Sequence, residues 1–169
     1  VSLSLLAGGA GAASDPAGRN GIAFLTASML DEGAGALGAL DLADEIDLLG
    51  ASLSPSAARE RGELRLVVLR KNLDRALDLF ADILLRPRFE AKEWDRVKSL
   101  VLNDLAQRRD NPTSVARLVA DRTFFGNGHP YAAPINGYVD TVSSIGLEDI
   151  QKFYRERWSP AGTTIVAAG

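Results

Sequence analysis

Polar and apolar residues alternate in four short segments of the chain. Alternation is typical of a β-strand with one buried face, because successive side chains point to opposite faces of a sheet. The pattern therefore predicts strands at Val1–Leu6, Ala51–Ala58, Glu63–Arg70 and Thr163–Ala168. The two middle strands flank Arg59–Gly62, and this short connection predicts a β-hairpin.

Elsewhere, apolar residues recur at every third or fourth position, which is the spacing of a helix that buries one face. Glycine or proline bounds most of these segments, as expected at helix ends. The segments predict six helices: Gly21–Glu32, Leu37–Leu49, Asn72–Leu85, Glu90–Arg109, one that restarts at Thr113 or Ser114, and Ser143–Trp158. Phe125–Gly137 is dense in glycine, asparagine and proline and is predicted to be an irregular loop.

This order of elements predicts an α+β fold. Strands come first, in the middle and last, and helices fill the long intervals between them. Antiparallel strands then share one sheet of about four or more strands, with the helices packed on one face. A length of 169 residues is typical of one domain, so we expect residues 1–169 to form a single unit.

Composition excludes several kinds of site. The net charge of −3 is spread along the chain without a basic face, which argues against a nucleic-acid partner. The absence of cysteine excludes disulfides, thiolate metal sites and cysteine nucleophiles. One histidine, His129, is fewer than a cysteine-free zinc site usually needs. The first apolar segment is too short and too rich in serine to span a membrane, so no membrane partner is expected.

Four segments of the chain are similar to the pitrilysin/insulinase family of zinc metallopeptidases. They read NGIAFLTASMLDEG, LLRPRFEAKEWDRVKSLVLNDLAQRRDNP, GNGHPYAAPINGYVDTV and FYRERWSPAGTTIVAAG. With the order of elements, they make nearly the whole chain resemble the N-terminal domain of that family. The resemblance implies that the chain is a fragment, in which the edge of the first strand and a following domain of similar size are missing.

In active members of this family, the helix equivalent to Gly21–Glu32 carries the inverted zinc motif His-x-x-Glu-His. Two histidines four positions apart reach the metal from one helix face, and the glutamate activates the metal-bound water. Aligning the motif on its flanking residues places Phe24 and Ser28 at the histidine positions and Ala27 at the glutamate position. The resemblance therefore implies that this chain has no catalytic residue and is inactive alone.

The family's third zinc ligand is a glutamate on a later helix, and counting along the chain places Asp104 at its position. One carboxylate without an imidazole does not complete a zinc site, which needs at least three protein ligands. We therefore expect no metal and no other cofactor in this chain. The resemblance implies that zinc belongs to an active partner.

His129 and Tyr131 lie in the predicted loop, within Gly-Asn-Gly-His-Pro-Tyr. A similar stretch occurs in the family, and the resemblance implies that these two side chains organise the loop by hydrogen bonds. The alternative is that His129 acts as a general base for Ser114 or Ser144. Nothing near these residues in the sequence supplies an oxyanion hole or an orienting acid for such chemistry.

Family members with a degraded motif commonly form the non-catalytic half of a clamshell that encloses an unfolded peptide. The resemblance therefore implies a non-catalytic domain or subunit that forms a peptide-binding chamber with a catalytically active, zinc-bearing pitrilysin-like partner. In the alternative, the parent polypeptide is itself a zinc metallopeptidase whose active motif lies outside this fragment. A hydrolase of unrelated mechanism is the third interpretation. Bacterial relatives with this domain order are often exported, so we expect a periplasmic or otherwise exported protein, with the cytoplasm as the alternative.

Overall fold

A single antiparallel sheet runs through the protein, as the alternating segments predicted. The computed structural model describes residues 1–169 except for the side chain of Arg109. The strands are Ser2–Gly8 (β1), Ser52–Ala57 (β2), Arg61–Val67 (β3) and Thr163–Ala168 (β4). Their order in the sheet is β2-β3-β1-β4, so the first strand lies between the third and the last.

The hairpin between β2 and β3 is tighter than the sequence predicted. Ala58 donates its backbone N–H to the carbonyl of Arg61 at 2.8 Å, so only two residues connect the paired positions. The strand β3 therefore begins at Arg61 instead of Glu63 and ends at Val67 instead of Arg70. The strand ends three residues earlier than predicted because the chain turns into a short 3₁₀ segment at Arg70–Asn72.

Seven helices surround one face of the sheet. They are Ile22–Ser28 (α1), Ala39–Leu48 (α2), Leu73–Leu85 (α3), Ala91–Gln107 (α4), Pro112–Phe125 (α5), Val139–Ser144 (α6) and Leu147–Arg157 (α7). Short 3₁₀ turns follow α4 and interrupt the predicted loop. None of the described helices is long and apolar enough to cross a membrane.

Two predicted helices differ from the structure. The prediction of one helix over Ser143–Trp158 was wrong, because the backbone of Ile145 is extended and Gly146 starts a new helix. The Asp149 carboxylate accepts the Gly146 amide at 2.9 Å and so fixes this second start. The first helix is shorter than Gly21–Glu32, because Gly21 is left-handed and the helix ends at Ser28.

The hydrophobic core lies between the sheet and the helices. Leu5, Leu64 and Leu66 point from the sheet into this core, and the polar Ser4 and Arg65 lie on the other face. Leu25 of α1 is fully buried, and α1 packs against β2, β3 and α7. The fold prediction of an α+β domain with helices on one face of an antiparallel sheet is confirmed.

One close contact joins the end of α7 to the sheet. The indole ring of Trp158 lies directly against Gly62 of β3, where an added Cβ atom would overlap the ring. Trp158 is buried, and its ring covers the sheet at Gly62. Glycine is therefore required at position 62 by space, because any larger residue displaces the ring.

Candidate functional site

The helix α1 carries the positions of the predicted motif, and a carboxylate outside the helix holds its first turn. Asp15 accepts the backbone amides of Gly21 at 2.6 Å and Ala23 at 3.1 Å. These amides lack partners within the helix, and a negative group at a helix N-terminus is favourable. Burial nevertheless raises the pKa of Asp15 to about 6, although both hydrogen bonds lower it.

Phe24 and Ser28 share one side of α1, because residues four positions apart lie above one another on a helix. Both are half-buried, whereas Ala27 faces the core and is 1% exposed. The Ser28 hydroxyl donates to the Phe24 carbonyl at 2.9 Å within the same helix. The side that carries metal ligands in the inverted motif thus presents an aromatic ring and a hydroxyl that is already bonded.

Asp104 lies on α4, which packs against α1. Its side chain is largely exposed, and its Oδ2 atom lies 3.7 Å from Nη2 of Arg108. The same oxygen accepts a long hydrogen bond of 3.4 Å from the amide of Asn136. Among the described side chains, no hydrogen bond or ion pair links Asp104 to the three motif positions on α1.

The residues at these four positions do not fit a zinc ion. Zinc sites in proteins use thiolate, imidazole and carboxylate ligands, and structural or catalytic sites need three or four of them. The described side chains include no group of three or more histidine, cysteine, aspartate or glutamate residues that could hold a metal ion. We therefore derive no catalytic step through a metal on this chain.

A second half-buried carboxylate, Asp31, lies just beyond α1. Burial raises the pKa of Asp31 to about 6, and repulsion by Glu32 adds to this effect, while its own backbone amide and Arg96 oppose it. Arg96 of α4 bridges two neighbouring carboxylates, donating to Glu93 at 2.9 Å and also to Glu32. This bridge ties the end of α1 to α4.

Asp15 and Asp31 were not recognised in the sequence. Asp15 lies in Ser-Asp-Pro, six residues before the glycine whose amide it accepts, so the usual capping position adjacent to a helix gives no signal. Asp31 is distinguished by the burial that raises its pKa, and the local sequence does not show burial. An aspartate before proline near a predicted helix start was the only signal that could have indicated either residue.

His129 and Tyr131 lie together against the hairpin. The Nδ1 atom of His129 accepts the backbone amide of Tyr131 at 3.1 Å, and its ring stacks on Phe125 with centroids 5.3 Å apart. The Tyr131 hydroxyl bonds to Glu60, and the guanidinium of Arg59 lies 5.4 Å from the Tyr131 ring centroid. These contacts join the loop to the turn between β2 and β3.

Among the described contacts, neither serine considered as a nucleophile forms a hydrogen bond with His129. The Ser144 hydroxyl donates to the carbonyl of Thr141 at 2.8 Å, which leaves it engaged within its own helix. Ser114 lies in the first turn of α5, where its amide donates to Asn111 at 3.1 Å. The described contacts thus give no support to a serine–histidine hydrolase.

Comparison with known protein families shows the family of this chain. The family described as Insulinase (Peptidase family M16) matches residues 2–135. The chain belongs to this family. The family membership that the four sequence segments indicated is therefore confirmed.

Curated relatives from bacteria and plants are similar to this chain over most of its length. An uncharacterized zinc protease of Streptomyces coelicolor is 27% identical over 89% of this chain and 32% of that protein. A probable mitochondrial-processing peptidase subunit beta of Arabidopsis thaliana is 28% identical over 89% of this chain and 28% of that protein. The chain therefore spans about a third of the length of these relatives.

A solved structure shows the same fold. The inactive domain of a peptidase of this family from Pseudomonas fluorescens has a TM-score of 0.90 and 26% sequence identity. The match covers 97% of this chain and 40% of that one. The antiparallel sheet and its helices are therefore the architecture of an insulinase-family domain.

Proposed function

We propose that this chain is a non-catalytic peptidase-like domain that forms a peptide-binding chamber with a zinc-bearing domain or subunit of the insulinase family. Its role is to supply a wall of the chamber. The partner supplies the metal, the general base and hence the hydrolysis. In this proposal the chamber takes unfolded peptides, as the resemblance to the family implies.

The side chains at the motif positions of α1 are the observation that supports this proposal. The helix keeps its place in the core and its Asp15 cap, but its outer side presents Phe24 and a Ser28 hydroxyl bonded within the helix. An aromatic ring at a ligand position offers no lone pair to a metal. A helix that is retained while its chemical groups are absent favours a structural role in an assembly over catalysis.

The comparisons support a paired arrangement. The structure from Pseudomonas fluorescens is described as an inactive domain, and the Arabidopsis thaliana relative is described as a subunit of a processing peptidase. Both are similar to this chain over most of its length. A domain without activity, in a family with named subunits, needs a partner to take part in proteolysis.

The experiment measures hydrolysis of a quenched fluorescent, unstructured peptide. The full-length protein is assayed alone, and then with a family member that carries His-x-x-Glu-His and is encoded beside it. We expect no hydrolysis by the protein alone and chelator-sensitive hydrolysis by the mixture. A partner whose motif glutamate is replaced by glutamine provides the matched inactive control. A partner that cleaves the peptide equally fast without this protein contradicts the proposal.

A second candidate function follows from length. Because the chain spans only about a third of its relatives, the parent polypeptide has room for an active motif in another domain. In that case the full-length protein alone hydrolyses the peptide and loses its activity on chelation. The same assay therefore separates an inactive subunit from an inactive domain within an active polypeptide.

We also propose that the parent protein is exported, in keeping with the domain order of exported bacterial family members. Fractionation of cells into periplasm and cytoplasm, with the protein followed by antibody, tests this location. Recovery in the cytoplasmic fraction contradicts it.

A further inference from the structure

Among the strands that the structure describes, β2 forms one edge of the sheet and pairs with β3 alone. It is also a strand against which α1 packs, so this edge lies beside the helix that carries the motif positions. An open edge with free N–H and C=O groups is a common place for an extended peptide to add to a sheet. The binding capacity of the edge depends on which backbone groups face outwards.

Hydrogen bonding across the hairpin determines those directions. The Ala58 amide donates to the carbonyl of Arg61 directly opposite at 2.8 Å, so this pair is hydrogen-bonded. Hydrogen-bonded and non-hydrogen-bonded pairs alternate along antiparallel strands. Pro55 lies three positions before Ala58 and opposite Leu64, and its pair is therefore non-hydrogen-bonded. The backbone groups of Pro55 face away from β3, towards the open edge.

The other side of β3 gives the same assignment. The Val68 amide donates to the carbonyl of Val1 at 3.0 Å, and the Val1 amino group donates to the carbonyl of Val68 at 2.8 Å. Leu64 lies four positions before Val68 on β3, so its backbone groups also face β1. The backbone groups of Leu64 therefore point away from Pro55, and the two residues form a non-hydrogen-bonded pair.

Every second residue of β2 turns its backbone groups towards the open edge. These residues are Leu53, Pro55 and Ala57. Among the described residues, the amides of Leu53 and Ala57 make no hydrogen bond to another segment. Proline has no N–H, and its ring occupies the place of the missing hydrogen. The central donor of the open edge is therefore absent, and a carbon atom of the ring projects there instead.

We propose that Pro55 blocks strand addition to β2, so that this domain does not hold an extended peptide by lengthening its sheet at this edge. A peptide strand laid along β2 meets donors at Leu53 and Ala57 but a ring between them. The peptide carbonyl opposite Pro55 is then taken out of water without a donor, which is costly. Proline is one of the devices by which proteins protect sheet edges.

This block has a consequence for the chamber. A peptide enclosed beside α1 is held by the side chains of this domain or by the backbone of the partner. That consequence rests on the proposed function, whereas the block itself concerns only β2. Experiments on this chain without a partner therefore test the block separately.

The test restores the missing donor by the substitution Pro55→Thr. Threonine suits an exposed edge strand and adds an outward N–H at the same position. The probe is a short, fluorescein-labelled peptide of alternating threonine and valine, and its binding is followed by fluorescence anisotropy. We expect the variant to bind it at least about tenfold more tightly than the wild type. Hydrogen exchange at the Leu53 and Ala57 amides then locates the bound strand.

A relocated proline provides the matched control. In the double variant Pro55→Thr/Ala57→Pro, the ring moves to the next outward position, and we expect the gained affinity to be lost. A folded Pro55→Thr protein that binds no better than the wild type overturns the proposal. Protection of the Leu53 and Ala57 amides by peptide in the wild-type protein also overturns it, and this measurement needs no variant. Unchanged exchange at both amides in the wild type supports the block.

Discussion

The Asp15 carboxylate makes the stability of the protein depend on pH. Burial raises its pKa from 3.8 to about 6, even though the amides of Gly21 and Ala23 donate to it. The folded protein therefore keeps a proton that the unfolded chain has already released. The stabilising contribution of Asp15 is fully present below a pH of about 3.8 and is lost as the pH rises through about 6.

The size of this effect follows from the two pKa values. A tenfold change in proton affinity is worth about 1.4 kcal/mol, so the change from 3.8 to about 6 corresponds to about 3 kcal/mol in the free energy of unfolding. The substitution Asp15→Asn removes the titration and keeps the shape of the side chain, but it replaces one of the two oxygens that accept the Gly21 and Ala23 amides by an NH2 group, which cannot accept. The variant lacks one of these hydrogen bonds at every pH, so we expect its stability relative to the wild type to rise by up to about 3 kcal/mol between about pH 4 and about pH 7.5.

Urea denaturation followed by circular dichroism at both pH values measures these free energies. Other carboxylates titrate alike in the two proteins, so the difference between their pH profiles isolates Asp15. Asp31, whose pKa is also raised to about 6, provides a second site, and Asp31→Asn is expected to flatten the profile in the same direction. A stability difference between variant and wild type that stays the same from about pH 4 to about pH 7.5 refutes the reasoning. It would mean that the two hydrogen bonds from α1 offset the cost of burying the charge.

Three further predictions concern the metal and the core. Elemental analysis of the purified protein is expected to show no stoichiometric zinc, and about one zinc per chain that is lost on chelation contradicts this. A fourfold variant that restores the family ligands is expected to bind zinc but to hydrolyse little peptide, because the resemblance to the family implies that transition-state donors come from another domain. If zinc titration shows that the folded variant binds no metal, the alignment is refuted. Its substitutions are Phe24→His, Ala27→Glu, Ser28→His and Asp104→Glu. The substitution Gly62→Ala is expected to cost roughly 1–3 kcal/mol in urea denaturation, because its methyl group overlaps the Trp158 ring; an unchanged midpoint argues against that contact.

The strands and most helices could be predicted from periodicity because burial on one face sets both patterns. The break at Ile145 could not, since this residue is buried and continues the apolar spacing. The break is set by Gly146 together with its Asp149 cap, and such local hydrogen bonds compete with helix continuation without altering the apolar pattern. Met29 and Leu30 extended the predicted first helix for a related reason, because they are fully buried although they lie beyond its end.

The candidate site was predictable in part. The frame around the motif located Phe24 and Ser28 on one helix side, since spacing alone determines which residues share a helix face. The partners of Asp104 and the burial of Asp15 depend on segments distant in sequence, so no local pattern contains them. The direction of the Pro55 nitrogen depends on strand register, which becomes known only when the hydrogen-bonded pairs are known.

The central position of β1 has a consequence for folding during synthesis. Ser2 of β1 pairs with Ala168 of β4, so β1 finds its second neighbour in a strand that is synthesised long after it. The hairpin of β2 and β3 can cover the other side of β1 much earlier. Contacts between such distant segments slow folding and leave strand edges exposed meanwhile. A ribosome that pauses before Thr163 therefore holds a nascent domain with an open, leucine-containing edge, and the interval before β4 emerges is the period in which the domain is most prone to aggregate.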